Sequence, residues 1–184
     1  PVTKLRGELT KPAPGAMPWR EFMRQRSRSV HFPQITQDDT AFILYTSGTS
    51  GKPKGAPLTH GNIVSVLKAG MEWLEDWGAV REKVLGVLPM FHIYGLALNY
   101  ALPLSIGAEM VLVPAPKPKL YQAAITKTRP TVLPGVPTLY DKIIEWAVES
   151  NADLSSIHTS ISGASTLPVE TIERWENATG GRLI

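Results

Sequence analysis

Residues 41–55 of the chain read AFILYTSGTSGKPKG, an apolar run that passes directly into a loop rich in glycine and hydroxyl side chains. The apolar residues 41–45 predict a short buried strand that ends where the loop begins. Glycine lets backbone N–H groups turn toward an anion, because no Cβ stands in the way. Lys52 and Lys54 add positive charge, and an ammonium group is a point-charge partner for phosphate. We therefore expect the loop to bind a di- or triphosphate.

This loop differs from two better-known phosphate-binding patterns. A Walker A loop needs G-x-x-x-x-G-K-[ST], whereas here Lys52 follows G-x-x-G and precedes Pro53. The dinucleotide pattern G-x-G-x-x-G is absent as well. A polar surface turn is the structural alternative, but the position between an apolar run and an amphipathic segment favours phosphate binding.

Outward from the loop, apolar strands and amphipathic helices alternate along the chain. Residues 62–73 carry apolar side chains at helical spacing, and Thr59 is a candidate N-cap because a hydroxyl accepts a free N–H of the first turn. Further strands are predicted at residues 84–88, 109–113, 131–133 and 157–162, and further helices at 94–105, at 120–128, from Pro137 and from Pro168. This alternation predicts an α/β fold with a mostly parallel sheet and flanking helices.

Composition narrows the function classes. The chain has 184 residues, 43% hydrophobic and 19% charged, which is typical of a globular domain and excludes a disordered or fibrous chain. It has no cysteine, so it holds no disulfide, thiol nucleophile, iron–sulfur cluster or cysteine-ligated zinc. Its four histidines lack H-x-x-x-H or H-E-x-x-H spacing, and we predict no protein metal site.

Positive charge is concentrated at the start of the chain. Residues 1–31 hold seven Lys or Arg against two Glu, a net charge of +5, whereas the twelve basic and fourteen acidic residues in 32–184 give −2. Five prolines fall in residues 1–37, which break any long element there. We predict a basic, Pro-rich approach segment at 1–37 and the folded domain at 38–184.

Two segments are candidate sites for contact with larger partners. A short helix at residues 18–28 would carry several arginines, which we interpret as a solvated face and not as a nucleic-acid or anionic-lipid patch. These are Arg20, Arg24, Arg26 and Arg28. Residues 84–108 carry no formal charge, but many glycine, proline and polar residues interrupt them, so we predict buried strands and a buried helix and no membrane span. We expect a cytoplasmic protein that binds no nucleic acid and makes at most peripheral contact with a membrane.

Several motifs together give the chain a family resemblance. Residues 46–55 resemble the signature loop of the adenylate-forming superfamily, which includes acyl-CoA synthetases, 4-coumarate–CoA ligases, firefly luciferases and peptide-synthetase adenylation domains. Ser50 stands where threonine is more usual and keeps the hydroxyl. Later motifs also resemble this family, most of all its long-chain fatty-acid–CoA ligases; they are LTHGN at 58–62, LPMFHIYG at 88–95, PGVPTLY at 134–140 and SGAS at 162–165.

The resemblance implies an ATP-dependent ligase that works in two steps. A carboxylate, such as a fatty acid, attacks the α-phosphate of ATP with Mg²⁺ to give an acyl-adenylate and pyrophosphate, and the thiol of CoA then displaces AMP. The implied phosphate-binding residues are Thr46, Ser47, Gly48, Thr49, Ser50, Gly51 and Lys54. His92 is implied as the residue beside the substrate carboxylate and the α-phosphate, whereas its residue type alone favours a packed or capping histidine. Gly163, Ala164 and Ser165 are implied as the border of the adenine and acyl pocket.

The resemblance also implies parts that these residues do not hold. The family's Gly-x-Thr-Glu motif, ribose-binding aspartate and adenylation lysine would lie beyond Ile184. We therefore expect a piece of the family's large domain that is inactive alone and self-associates through exposed apolar surfaces. Three alternatives stay open: an aryl-acid–CoA ligase, a non-catalytic scaffold that binds phosphate or nucleotide, and a nucleic-acid-binding module, which the near-neutral body disfavours.

Overall fold

A computed structural model describes residues 14–24, 32–47, 52–73 and 81–184 of the chain. Contacts divide the chain into two units, Pro1–Ile35 and Thr36–Ile184. In the first unit, α1 (Trp19–Phe22) is a single helical turn inside the predicted helix, whose residues 25–28 lie outside the described residues. Arg20 and Arg24 are exposed there, and Arg26 and Arg28 fall outside the described part. All other elements belong to the second unit.

The second unit begins with an antiparallel hairpin of β1 (Thr40–Thr46) and β2 (Lys54–Thr59). The strand predicted at residues 41–45 is confirmed, but its predicted burial is wrong, because Ile43 is 57% and Tyr45 75% exposed. No strand is predicted where β2 lies: its first two residues fall in the predicted loop, and glycine and proline are depleted in strands. In a two-stranded ribbon, however, the missing N–H of Pro57 can face away from the partner strand.

Five strands form the main sheet, and their parallel pairing is the arrangement that the sequence predicts. They are β3 (Lys83–Gly86), β4 (Glu109–Leu112), β5 (Val132–Gly135), β6 (Thr159–Ser162) and β7 (Arg182–Leu183), in the order β4-β3-β5-β6-β7. Short continuous apolar runs are typical of strands covered on both faces. Leu85, Val132 and Leu133 are accordingly fully buried.

Among the described residues of the second unit, one helix precedes these strands and the others lie between them. These helices are α2 (His60–Trp73), α3 (Ile93–Leu96), α4 (Leu102–Ile106), α5 (Pro118–Thr128), α6 (Pro137–Ser150) and α7 (Val169–Thr179). The predicted cap of α2 is confirmed: the Thr59 hydroxyl accepts the Asn62 N–H at 3.1 Å, and the Asn62 side-chain oxygen accepts the Thr59 N–H at 3.0 Å. α6 begins at Pro137 as predicted, because proline suits the first helical position.

The uncharged stretch at residues 84–108 forms β3 and a helical segment at the predicted places. The predicted burial holds for β3 but is wrong for one face of the helical segment, because Tyr100 is 41% and Leu104 52% exposed. That segment runs from Ile93 to Ile106, but a π-helical turn (Ala97–Ala101) separates α3 from α4. Pro103 supplies a reason, because it has no N–H for the carbonyl four residues earlier and its ring crowds that carbonyl. Leu102 instead donates its N–H to Ala97, five residues back. No helix in the described ranges is long and apolar enough to cross a membrane.

The main buried cluster joins the sheet to α5, α6 and α7. Trp175 of α7 belongs to it and is the largest of its fully buried side chains. Its indole N–H donates to the Ser160 hydroxyl at 2.9 Å, and its ring meets that of Tyr140 edge-on with centroids 4.8 Å apart. A buried indole N–H needs such a partner, so this contact fixes α7 against β6.

The strand order creates a crevice between the carboxyl ends of β3 and β5. The chain runs from β3 to β4 on one side, crosses back to β5, and continues through β6 to β7 on the other side. Pairing between β3 and β5 is confined to Val84 and Val132. Two residues further on, the same edge of β5 presents Pro134, which has no N–H to continue the ladder. In open parallel sheets, ligands bind in such a crevice, at the point where the strand order reverses.

Candidate functional site

The hairpin brings the two ends of the phosphate-loop motif together. Thr46 at the end of β1 is paired with Lys54 at the start of β2, so the loop is closed at its base with a lysine beside it. Thr46, Ser47 and Lys54 are exposed and free to meet a ligand. The remaining loop residues of the prediction, Gly48, Thr49, Ser50 and Gly51, lie outside the described residues. Phosphate binding by the whole set stays a prediction.

His92 ends the loop that follows β3 and caps α3. Its Nδ1 accepts the backbone N–H of Tyr94 at 3.2 Å. A neutral imidazole that accepts at Nδ1 carries its proton on Nε2. The ring is exposed. The geometry therefore leaves Nε2–H of His92 available to donate to an oxygen of a bound ligand.

Tyr94 ties this loop to the carboxyl ends of β5 and β6. Its hydroxyl lies 2.7 Å from the carbonyl oxygen of Ile161 and 3.1 Å from that of Gly135. Burial raises the pKa of Tyr94 to about 12, so the hydroxyl remains a donor at neutral pH. The sequence assigns Tyr94 no role, although its place inside the 88–95 motif is a signal that points to it.

Tyr140 of α6 reaches the same carbonyl. Its hydroxyl lies 2.8 Å from the oxygen of Ile161 and 3.0 Å from that of Leu133. Burial raises the pKa of Tyr140 well above its usual value, so it too stays protonated. Two tyrosine hydroxyls, from α3 and from α6, therefore meet at one position between β5 and β6.

Gly163 and Ala164 follow β6 and both have unusual surroundings. A Cβ at Gly163 would stand 2.8 Å from Cζ of Tyr94 and 3.1 Å from its hydroxyl oxygen. Ala164 has φ +70°, a left-handed conformation that non-glycine residues rarely adopt. Strain of this kind clusters at functional sites. Of the small residues predicted here, Gly163 thus makes room for a tyrosine of the protein itself. Contact of Gly163, Ala164 and the exposed Ser165 with adenine or an acyl chain stays a prediction.

Two cavities adjoin these groups. One, of about 160 Å³, lies between the hairpin with α2 on one side and the helical segment after His92 on the other. It is lined by apolar side chains that include Leu58, Ile63, Leu67, Ile93, Leu96 and Ala97. The other, of about 290 Å³, lies at the crevice and is lined by Val87, Leu88, Pro89, Tyr121, Val136 and Leu139, among others. Across the first cavity, the β1–β2 hairpin that carries the phosphate-loop motif therefore faces the helix that His92 caps.

The described side chains offer little to a metal ion. Across residues 14–24, 32–47, 52–73 and 81–184, no three His, Asp or Glu side chains are grouped so that they could hold a metal ion. A Mg²⁺ ion would then depend on phosphate oxygens and water, which it commonly keeps as ligands. We derive no step through magnesium from these residues.

Known proteins resemble this chain in sequence and in structure. A family model described as AMP-binding enzyme matches residues 5–184. A long-chain-fatty-acid–CoA ligase of Bacillus subtilis (strain 168) is 39% identical over 164 residues, covering 88% of this chain and 29% of that protein. The mitochondrial malonate–CoA ligase ACSF3 of Xenopus laevis is 36% identical over 163 residues, covering 80% of this chain and 28% of that protein.

A solved structure of a related protein also resembles the chain. The ATP-bound MatB of Rhodopseudomonas palustris aligns with a TM-score of 0.65 at 30% identity, covering 80% of this chain and 29% of MatB. The chain thus spans about three tenths of the length of the relatives it matches.

Proposed function

Because the chain belongs to the family of AMP-binding, adenylate-forming enzymes, we propose that it forms part of an acid–thiol ligase that activates a carboxylic acid with ATP and passes the acyl group to CoA. The observation that carries this proposal is the pairing of Thr46 with Lys54, which closes the phosphate-loop motif at its base. Leu58 of the same hairpin lines the apolar cavity, and Ile93, the residue after His92, lines it as well.

Two bond exchanges make up the proposed reaction. A carboxylate oxygen attacks the α-phosphorus of ATP, the bond to the bridging oxygen breaks, and pyrophosphate leaves. The sulfur of CoA then attacks the acyl carbon, AMP leaves with the bonding electron pair, and the thiol proton is released. The protein contributes mainly by positioning the reactants and stabilising charge on phosphate.

In this proposal each residue has one task. Thr46 to Gly51 and Lys54 hold the β- and γ-phosphates. Nε2–H of His92 donates to the substrate carboxylate or an α-phosphate oxygen. This role is supported by the hydrogen bond from the Tyr94 backbone N–H to Nδ1, which leaves the ring proton on Nε2. Gly163, Ala164 and Ser165 border adenine and the start of the acyl chain, supported by the strained φ of Ala164.

A long-chain fatty acid is the proposed substrate. Relatives named as long-chain-fatty-acid–CoA ligases support it, and so does the apolar lining of the cavity beside Ile93, because methylene groups are stabilised by leaving water. The malonate–CoA ligase among the relatives shows that the family takes other acids. An aryl acid is therefore kept as the alternative that the assay below distinguishes.

Nucleotide binding by the chain tests the phosphate site. Isothermal titration with ATP is compared in the wild type, Lys54→Ala and Lys127→Ala. Lys127 lies in the last turn of α5 and gives the same charge change away from the hairpin. A charge-assisted hydrogen bond is worth about 1.5–3 kcal/mol, so we expect Lys54→Ala to weaken binding by about tenfold or more. Equal weakening by both variants, or no binding of ATP by the wild type, would contradict the proposal.

Pyrophosphate exchange tests the reaction. We propose that these 184 residues do not complete adenylation alone, since they span about three tenths of the matched relatives. No ATP–pyrophosphate exchange is expected with dodecanoate or benzoate, and exchange with either acid refutes this. In a longer protein that contains the chain, exchange with dodecanoate supports the fatty-acid ligase and exchange with benzoate alone supports the aryl-acid ligase. ATP binding without exchange with either acid supports the non-catalytic scaffold.

The remaining properties stay predictions. We propose a cytoplasmic protein with at most peripheral membrane contact, which binds CoA as acyl acceptor and no nucleic acid. We also propose that the chain self-associates, supported by exposed apolar side chains such as Ile43 and Tyr45 on β1. Sedimentation velocity over a concentration series tests this, and a single monomer species at high concentration contradicts it.

A further inference from the structure

Asn99 is a polar residue on the buried face of the helical segment Ile93–Ile106. That face otherwise consists of Gly95, Leu96, Leu102 and Pro103. Asn99 is only 1% exposed, although helical periodicity favours an apolar side chain at such a position. Its side-chain N–H donates to the carbonyl oxygen of Leu88 at 2.9 Å, and its side-chain oxygen has no hydrogen-bond partner among the described residues. A buried acceptor left unpaired is costly, so its retention calls for a reason.

The carbonyl that Asn99 holds begins the loop that presents His92. Directly after Leu88, the carbonyl of Pro89 accepts the N–H of His92 at 3.2 Å, which closes the turn. Gly95 packs so tightly on this turn that a Cβ there would stand 2.2 Å from the Pro89 oxygen. Asn99 therefore fixes the residue directly before a short turn, Pro89 to His92, whose last residue is the proposed carboxylate-binding histidine.

The π-helical turn accounts for the position of Asn99. Its carbonyl is the one that Pro103 deprives of an N–H donor, and the turn widens at this place. Single π turns inside α-helices frequently accompany functional sites. The backbone irregularity, the buried amide and the bond to Leu88 all involve this one residue.

We propose that Asn99 is a positioning residue for His92 and acts through the carbonyl of Leu88 and the turn at residues 89–92 that follows it. This inference rests on the proposed function, because the role of His92 is part of that proposal. Without the amide of Asn99, the turn is no longer held at its start, and the imidazole loses its fixed orientation toward the substrate oxygen.

Asn99→Leu in the 184-residue chain tests the inference, because leucine has a similar size but neither donates nor accepts. Histidine-selective ¹⁵N labelling reports the ring signals, and His92 is assigned with His92→Gln. We expect the His92 ring signals to shift or broaden and the Tyr94 amide to exchange at least tenfold faster. The thermal midpoint should change by no more than about 3 °C, since a hydrogen bond and an unpaired oxygen are lost together. Ser105→Ala is the matched control, because it removes a 2.7 Å bond to Leu102 on the same helical segment.

Unchanged His92 signals and Tyr94 exchange in Asn99→Leu would overturn the inference, and so would an equal change in Ser105→Ala. If Asn99→Leu does not fold, Asn99→Ser is measured instead, and the same outcomes apply because its hydroxyl is too short to replace the amide. Dodecanoate with ATP separates the two proposals. If these ligands shift His92 equally in the wild type and in Asn99→Leu, the positioning role fails and the proposed function stands. The opposite result is also defined. If the ligands do not shift the His92 ring signals of the wild type, but the Asn99→Leu substitution itself shifts them, the proposed function fails and the positional coupling stands.

Discussion

Replacing Gly163 with alanine would put a methyl group where the ring of Tyr94 now lies. The added Cβ would stand 2.8 Å from Cζ and 3.1 Å from Cε2 and the hydroxyl oxygen. Carbon atoms in contact prefer about 3.5–4.0 Å, so the ring must retreat by about 0.7 Å or more. The hydroxyl would then leave the carbonyl oxygens of Ile161 and Gly135, which it now meets at 2.7 and 3.1 Å.

The expected cost is the sum of two effects. Overpacking costs about 1–3 kcal/mol, and the lost hydrogen bond adds about 1 kcal/mol. We expect Gly163→Ala to lower the free energy of unfolding by about 3 kcal/mol, which corresponds to roughly 6–12 °C in the thermal midpoint for a domain of this size. The backbone of Gly163 lies outside the left-handed region, so backbone strain does not contribute.

Urea denaturation of a double-mutant cycle measures this effect. The cycle compares Gly163→Ala, Tyr94→Ala and the double variant, because removing the ring should abolish most of the alanine's cost. Gly70→Ala in α2 is the control, since a Cβ there meets nothing within 4 Å, and it should stabilise the helix by roughly 0.5–1 kcal/mol. If Gly163→Ala is as harmless as Gly70→Ala, or costs the same with and without Tyr94, the reasoning fails.

Three further substitutions give defined expectations. Ala164→Gly should raise the free energy of unfolding by roughly 0.5–1 kcal/mol in urea titrations, because glycine relieves the strain at φ +70°, and a loss of stability would argue against strain. Thr59→Ala should lower it by about 1 kcal/mol through loss of the α2 cap, with Thr126→Ala as a comparison away from any helix start, and equal effects would contradict the capping role. The pKa of Asp153 is held below its usual range by hydrogen bonds from Ser155 and then from Arg129, so its stabilisation is present above about pH 4 and is lost as the pH falls further. Asp153→Asn should therefore flatten the loss of thermal stability between about pH 4 and pH 2, and an unchanged acid slope would show that this carboxylate does not contribute.

Local sequence patterns were sufficient for most of the main sheet and its helices. The strands are short apolar runs, and α2, α5, α6 and α7 begin at or next to a proline or a capping threonine. These signals act within a few residues. The strand β2 was not predicted, because its six residues include Gly55 and Pro57, which have a weak strand preference. Its pairing with β1 across the loop outweighs that preference. The π turn was not predicted either, because the apolar pattern around it is regular. Its cause, Pro103, acts on a carbonyl four residues earlier.

The candidate site was predictable only where a motif is contiguous. The loop at residues 46–55 is continuous in sequence, so its hydroxyls, glycines and lysines can be recognised together. The partners of the Tyr94 hydroxyl lie 41 and 67 residues away, and they are backbone carbonyls that carry no mark in the sequence. Asn99 reads locally as a polar interruption of an apolar helix, and only the folded chain shows which carbonyl it holds.

The single bridge between β3 and β5 divides the sheet mechanically. At its amino edge the two halves are joined firmly: Thr131 donates its N–H to Lys83 at 2.9 Å, and its hydroxyl bonds to Glu82, which His158 of the β6 side also contacts at 3.2 Å. Toward the carboxyl edge, beyond Val84 and Val132, no strand pairing connects them in the described residues. Deformation of the sheet should therefore be angular, with the amino edge as the axis. The hydroxyl of Tyr94, bonded to the carbonyls of Gly135 and Ile161, then limits how far the ligand-side crevice can widen.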